Sequence, residues 1–179
     1  MRIRSTLQGF TLLELIVTIG LATLVLTLGL PSFGGVIANH RLRVEVNALF
    51  HAVHLARKES IVRRRVVTLC PTRDGFACER DLDWSSGWMM FVNRDRNGDS
   101  QRDPDEPILQ HFAVDSATRI VANRMSFSLR STELRATNGT FIFCDRGQRA
   151  APRALIISYT GRPRVSRTDR RGRAYECPD

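Results

Sequence analysis

Hydrophobic positions divide the chain into three stretches of different period. Phe10 to Leu30 reads FTLLELIVTIGLATLVLTLGL, apolar almost throughout, with Glu14 as its one charged residue. At 1.5 Å per residue, a helix of about 20 such residues spans a bilayer core of roughly 30 Å. Arg2 and Arg4 precede the run and stay cytoplasmic under the positive-inside rule, which sends the rest of the chain outward. The run is too long for a removable secretory signal and lacks an Ala-x-Ala-like cleavage site. Gly29, Pro31, Gly34 and Gly35 follow, poor helix formers expected to bend or locally melt the helix where it leaves the membrane. Over residues 31–62 a second pattern takes over. Leu42, Val46, Leu49, Val53 and Ala56 recur at helical spacing as one apolar stripe, while Arg41, Arg43, Glu45, His51, His54 and Arg57 fall mostly elsewhere. This amphipathic continuation is expected to lay its stripe against a head.

Within residues 63–179 the period changes again. From Arg65 onward short runs of β-formers appear at Val66–Cys70, Trp88–Val92, Ile108–Phe112, Ile120–Ala122, Phe127–Leu129, Thr140–Cys144 and Leu155–Tyr159. Turn-rich pieces separate them, including Asn97-Gly98 and Asn138-Gly139. About seven short strands and no second helix predict an α+β fold: a long N-terminal helix, transmembrane then amphipathic, packed on an antiparallel β-sheet head. No internal repeat or low-complexity linker divides the head.

Charge adds a second layer. The formal net charge is +9, from 27 basic against 18 acidic residues, and Lys58 is the only lysine. Arginine keeps its charge at any relevant pH and grips phosphate or carboxylate with paired hydrogen bonds. A GC-rich genome would favour arginine codons and so account for much of the total, but not for where the arginines fall. Four cysteines in an exported head point to two disulfides. Cys70 and Cys78 flank a short loop with Pro71 and Gly75, so the expected pairs are Cys70–Cys78 and Cys144–Cys177. No CxxC or His spacing supports zinc, and no carboxylate or cysteine is placed to complete a metal site around His51 and His54.

Other chemistry finds little support. The loop from Asn93 to Glu106 has alternating oxygen-bearing residues, as a calcium loop would. A register from Asn93 leaves Pro104 where a bidentate Glu belongs, a register from Asp95 puts Ser100 at the glycine position, and three arginines oppose a divalent ion. It reads as a polar hairpin loop rich in Asx-turns. The chain has no GxSxG elbow, no HExxH and no phosphate-cradling glycine loop, so no enzyme activity and no cofactor are expected.

A carboxylate inside hydrocarbon is costly and usually marks a functional partner, which makes Glu14 informative. The surrounding Gly9-Phe10-Thr11-Leu12-Leu13-Glu14 resembles the type IV prepilin processing site. The resemblance implies that residues 1–9 are a leader removed by a prepilin peptidase. Phe10 then becomes an N-methylated terminus, and residues 10–30 pack into a filament core with other pilin subunits. An amine of the neighbouring subunit would neutralise Glu14 during assembly. The whole layout resembles the FimT/GspH group of minor pilins and pseudopilins. Gly87-Trp88-Met89-Met90-Phe91-Val92 followed by an Asn/Asp-rich loop looks like a FimT-type head in particular. The implied location is the inner membrane, single-pass with a periplasmic head, then a pilus at the cell surface.

Residues 161–173 read GRPRVSRTDRRGR, with Arg162, Arg164, Arg167, Arg170, Arg171 and Arg173 opposed only by Asp169. Arg164, Arg167, Arg170 and Arg173 recur every third residue, which would place them on one face of a polyproline-like strand about 28 Å long. As a β-strand, the same stretch would instead put Arg162 and Arg164 on one side. Either form is a multivalent cationic strip suited to double-stranded DNA without sequence preference. Gly161-Arg162-Pro163-Arg164 also matches the C-terminal Gly-Arg-x-Arg motif of FimT proteins, which implies DNA binding during natural transformation. Two alternatives stay open: a GspH-like pseudopilin of a type II secretion system with no DNA role, and an adhesin-like head for acidic glycan or membrane.

Overall fold

Threonine starts the first element. In a computed structural model that describes residues 10–94, 100–130 and 136–178, with the side chains of residues 28–32 also undescribed, helix α1 runs Leu12–Arg63. Thr11 caps it: its Oγ1 accepts the N–H of Glu14 at 3.2 Å and its carbonyl accepts that of Leu15 at 3.1 Å. Glu14 lies in the first turn, where a negative charge favours the helix dipole. The described residues fall into two compact units divided between Ile37 and Ala38.

In the first unit the apolar side chains around α1, from Leu12 to Leu26, are exposed. Thr18, Thr23 and Thr27 each donate their hydroxyl to a carbonyl of the preceding turn, so these polar groups are satisfied inside the helix. Among the described residues no helix is long and apolar enough to cross a membrane. Residues 28–32, within and just past the expected span, lie outside the described side chains, and the leader with Gly9 lies outside the described residues. Of the bend or local melting expected at Gly29–Gly35, the melting does not occur, since α1 is helical throughout. One proline forfeits a single backbone bond, and its leucine-rich approach favours the helix.

The second unit joins the C-terminal half of α1 to eight strands: β1 Val66–Pro71, β2 Trp88–Asn93, β3 Ile108–Phe112, β4 Thr118–Ala122, β5 Phe127–Leu129, β6 Gly139–Asp145, β7 Arg153–Ile157 and β8 Pro163–Ser166. They form two antiparallel sheets, ordered β3-β2-β1-β5 and β4-β6-β7-β8. The apolar stripe of α1 is buried in full: Leu42, Val46, Leu49, Val53 and Ala56 are each no more than 2% exposed. It packs with Val67, Leu69 and Met90 of the first sheet and Phe141, Phe143, Leu155 and Ile157 of the second. Trp84 closes this core edge-on against Phe141 at 4.8 Å and Phe127 at 5.8 Å. Trp88 stacks on Phe112 at 5.3 Å.

One strand shifts, since β7 begins at Arg153 and ends at Ile157, and β8 takes the second of the two conformations the sequence offers for the arginine stretch, a β-strand. Pro163 fits there because it opens an edge strand.

The 93–106 loop follows its polar reading over the residues described, while Asn97 and Gly98 lie outside them. Glu106 is buried and accepts the backbone N–H groups of Arg94 and Asp103. Arg102 donates to the carbonyls of Glu106, Phe76 and Pro104. The carboxylate that one calcium register would use thus ties Arg94 to Asp103 by their backbone N–H groups. No group of metal-ligating side chains gathers among the described residues, and His51 and His54 instead flank the ring of Phe50.

Candidate nucleic-acid interface

The β7–β8 hairpin builds the arginine motif. Gly161 N–H donates to the Ser158 carbonyl at 2.8 Å and Ser158 N–H to the Arg162 carbonyl at 3.1 Å, closing a three-residue loop. Gly161 takes φ +70°, and a Cβ there would stand 2.9 Å from Leu129 Cδ1 and 3.4 Å from the Ala136 methyl. Glycine is therefore favoured by its left-handed φ, and any side chain would also displace the Leu129 methyl. The Ser158 hydroxyl accepts the Arg162 N–H at 3.2 Å, so the backbone that projects Arg162 is held as well.

Beyond the tip, Pro163 and Val165 pair with Ile157 and Leu155, while Arg164 and Ser166 pair with Ile156 and Ala154. Leu155 and Ile157 are core residues. Alternation along the strand therefore turns Arg164 to the outer face of the sheet. There it lines an open cleft of about 320 Å³ with Asn123, Asn138, Tyr159, Arg170 and Tyr175. Arg162 and Arg164 are exposed, and neither makes an ion pair among the described residues.

A single polyproline face does not form. After β8 the chain turns at Thr168–Ala174, and Asp169 organises that turn. Its Oδ1 accepts the N–H groups of Arg171 at 2.7 Å and Arg173 at 2.9 Å, and its Oδ2 pairs with the Arg173 guanidinium at 2.9 Å. The Arg173 N–H, with further help from the Arg173 side chain and the Arg171 N–H, holds the Asp169 carboxyl below its ordinary range. Arg173 is thus partly neutralised, while Arg170 and Arg171 project from the turn. Strand pairing and the Asx-turn supply hydrogen bonds that a polyproline strand lacks, so they prevail.

Cys177 is bonded to Cys144 of β6, with Cα atoms 5.9 Å apart, and Cys70 is bonded to Cys78. Cys144 alternates with the inward Phe143, so the bridge draws the C-terminal segment over the outer face of the β4-β6-β7-β8 sheet. Arg119 of β4 adds a hydrogen bond to the Pro178 carbonyl. Both ends of the arginine segment are therefore fastened.

Three features of this region escape a reading of the sequence alone. The chain has only two tyrosines, and both line the cleft; their positions on either side of the arginine run were the available signal. Arg57 of α1 comes beside the motif, its Cδ 3.8 Å from the Cβ position of Gly161. Arg153 enters through strand register. Neither arginine carries a local signal.

The family model described as type II transport protein GspH matches residues 45–161. The match ends at Gly161, so the arginines from Arg162 to Arg173 lie beyond it. Two crystal structures of the type IV minor pilin FimU from Pseudomonas aeruginosa PAO1 have similar folds. One is 17% identical with a TM-score of 0.52, covering 69% of this chain and 91% of that one. The other is 16% identical with a TM-score of 0.52, covering 72% and 90%. No curated protein sequence matches the chain. The GspH family is not a family of enzymes. The helix, the two antiparallel sheets and the family match agree, and the chain belongs to the GspH family, with the fold of a type IV minor pilin.

Proposed function

We propose that the chain is a minor subunit of a type IV pilus that captures extracellular double-stranded DNA, without sequence preference, for uptake in natural transformation. The β7–β8 hairpin carries this reading. A buried Gly161 fixes the tip, and Arg162 and Arg164 leave it exposed and without an ion-pair partner among the described residues. Exposed guanidinium groups grip phosphate, a contact that carries no sequence information. Fastening the segment at Cys177 lowers the ordering cost of binding. Before assembly, residues 10–30 hold the chain in the inner membrane with its head in the periplasm. A prepilin peptidase cuts after Gly9, Phe10 is methylated, and Glu14 pairs with a neighbouring subunit in the filament.

The test is a DNA gel shift with the full chain in neutral detergent at two salt concentrations. Engagement of about four phosphates gives a slope of log K against log salt of about −3 to −4, with affinity around micromolar. Arg162→Gln with Arg164→Gln weakens binding equally on unrelated duplexes and makes the slope shallower by about 2. Unchanged affinity and slope in that variant would refute the site.

The family description favours a second reading, a pseudopilin of type II secretion in which the arginines are incidental. A gene deletion that stops protein secretion and leaves DNA uptake intact would establish it.

A further inference from the structure

Arg153 of β7 interacts electrostatically with Arg167, the residue after β8, and with Arg43 of α1. Ala154 pairs with Ser166, so one step further Arg153 lies opposite Arg167. By alternation both point to the face of Leu155 and Val165, the side on which α1 packs. Gly161 lies beside Arg57, and from there about 20 Å of strand leads to Arg167 while about 21 Å of helix leads back to Arg43. Arg43 of α1 lies within electrostatic reach of Arg153, as Arg167 does. The Arg153 Nε is buried and has no hydrogen-bond partner, and none of the three arginines makes an ion pair among the described residues. Burial, then the charges of Arg167 and Arg43, push the Arg153 guanidinium below its ordinary pKa.

Such a cluster is costly without a ligand, because like charges face one another across the strands and a buried donor goes unused. A tetrahedral oxyanion removes both costs by accepting from several guanidinium groups at once. We infer that Arg43, Arg153 and Arg167 form a phosphate socket that takes one backbone phosphate of the captured DNA. Assigning that phosphate to DNA rests on the function proposed above. β8 is an edge strand, so a duplex lying along it reaches Arg164 on one face and Arg167, about 10 Å further, on the other.

Thermal unfolding of the full chain in neutral detergent, with inorganic phosphate titrated against chloride of equal ionic strength, tests the socket directly. Phosphate is expected to raise the Tm of the wild type beyond the chloride control. Arg43→Gln with Arg167→Gln abolishes that increment. Arg153→Met also abolishes it and raises the Tm measured without phosphate, because it removes a buried unused donor and a like charge. An equal phosphate response in all variants, or a fall in Tm for Arg153→Met, would overturn the socket. On duplex DNA, Arg43→Gln with Arg167→Gln should weaken binding several-fold and make the salt slope shallower by about 1. If the phosphate response is lost and DNA affinity holds, the socket serves another phosphate and its assignment to DNA is wrong. If Arg162→Gln with Arg164→Gln still binds normally and only the socket variants fail, the tip reading falls and the socket stands.

Discussion

Gly161 and Glu45 show how single residues set the behaviour of the head. Gly161 combines φ +70° with a Leu129 methyl that would have to move to admit a side chain. Gly161→Ala should cost roughly 2 kcal/mol in denaturant melts and weaken DNA binding although every arginine remains. Glu45 is buried in the head: its Oε1 accepts the Asp115 N–H at 3.0 Å, and its Oε2 is buried without a partner. Burial raises its pKa, the Asp115 N–H opposes that shift, and the Asp115 carboxylate adds to it. The protonated form is therefore favoured by the fold. Its contribution is complete below the ordinary glutamate pKa and is lost as pH rises through the raised folded value. Glu45→Gln should remove that loss, leaving the variant more stable than wild type at pH 7 and closer to it at pH 4. Urea melts at the two pH values check this, and an unchanged pH dependence in the variant would count against it.

Among elements, the β7–β8 hairpin and the segment after it act as one tethered unit. The Cys144–Cys177 bridge spans 33 positions of sequence. Closing a loop of that size stabilises by roughly 3–4 kcal/mol in the chain-entropy model. Replacing both cysteines with alanine should lower stability by about that much. It should also weaken DNA binding, because the turn held by Asp169 would have to be ordered at the moment of contact. Calorimetry and gel shifts on the same preparation separate the two effects. Wild-type affinity in a destabilised variant would show that the tether serves the fold alone.

For the whole molecule, the expectation concerns processing and assembly. Removal of residues 1–9 takes Arg2 and Arg4 with it, so the formal net charge falls from +9 to +7. Mass spectrometry of filament-associated protein should find a terminus at methylated Phe10. Gly9→Ala should block cleavage, and Glu14→Ala should leave cleavage intact while impairing assembly. Filaments containing chains that begin at Met1 would contradict this. Thr11 capping α1 through the Glu14 N–H gives the helix a start two residues after the expected cut, so the proposed mature terminus needs no refolding of α1.

Periodicity by itself determined the helix, its buried stripe and most of the strands, because alternation and 3.6-residue spacing are local consequences of which face must leave water. Cysteine proximity likewise pointed to Cys70–Cys78, and the resemblance carried by the Gly-Arg-Pro-Arg run pointed to the proposed arginine site. Tertiary structure decided what depends on pairing between distant segments. It made β8 a strand, broke the three-residue arginine period at Asp169, and turned Arg164 outward. It also brought Arg57 to the hairpin tip and placed Arg153 opposite Arg167. Strand register and the way α1 lies along the sheet are set by long-range hydrogen bonding and core packing, which no local pattern of side chains records.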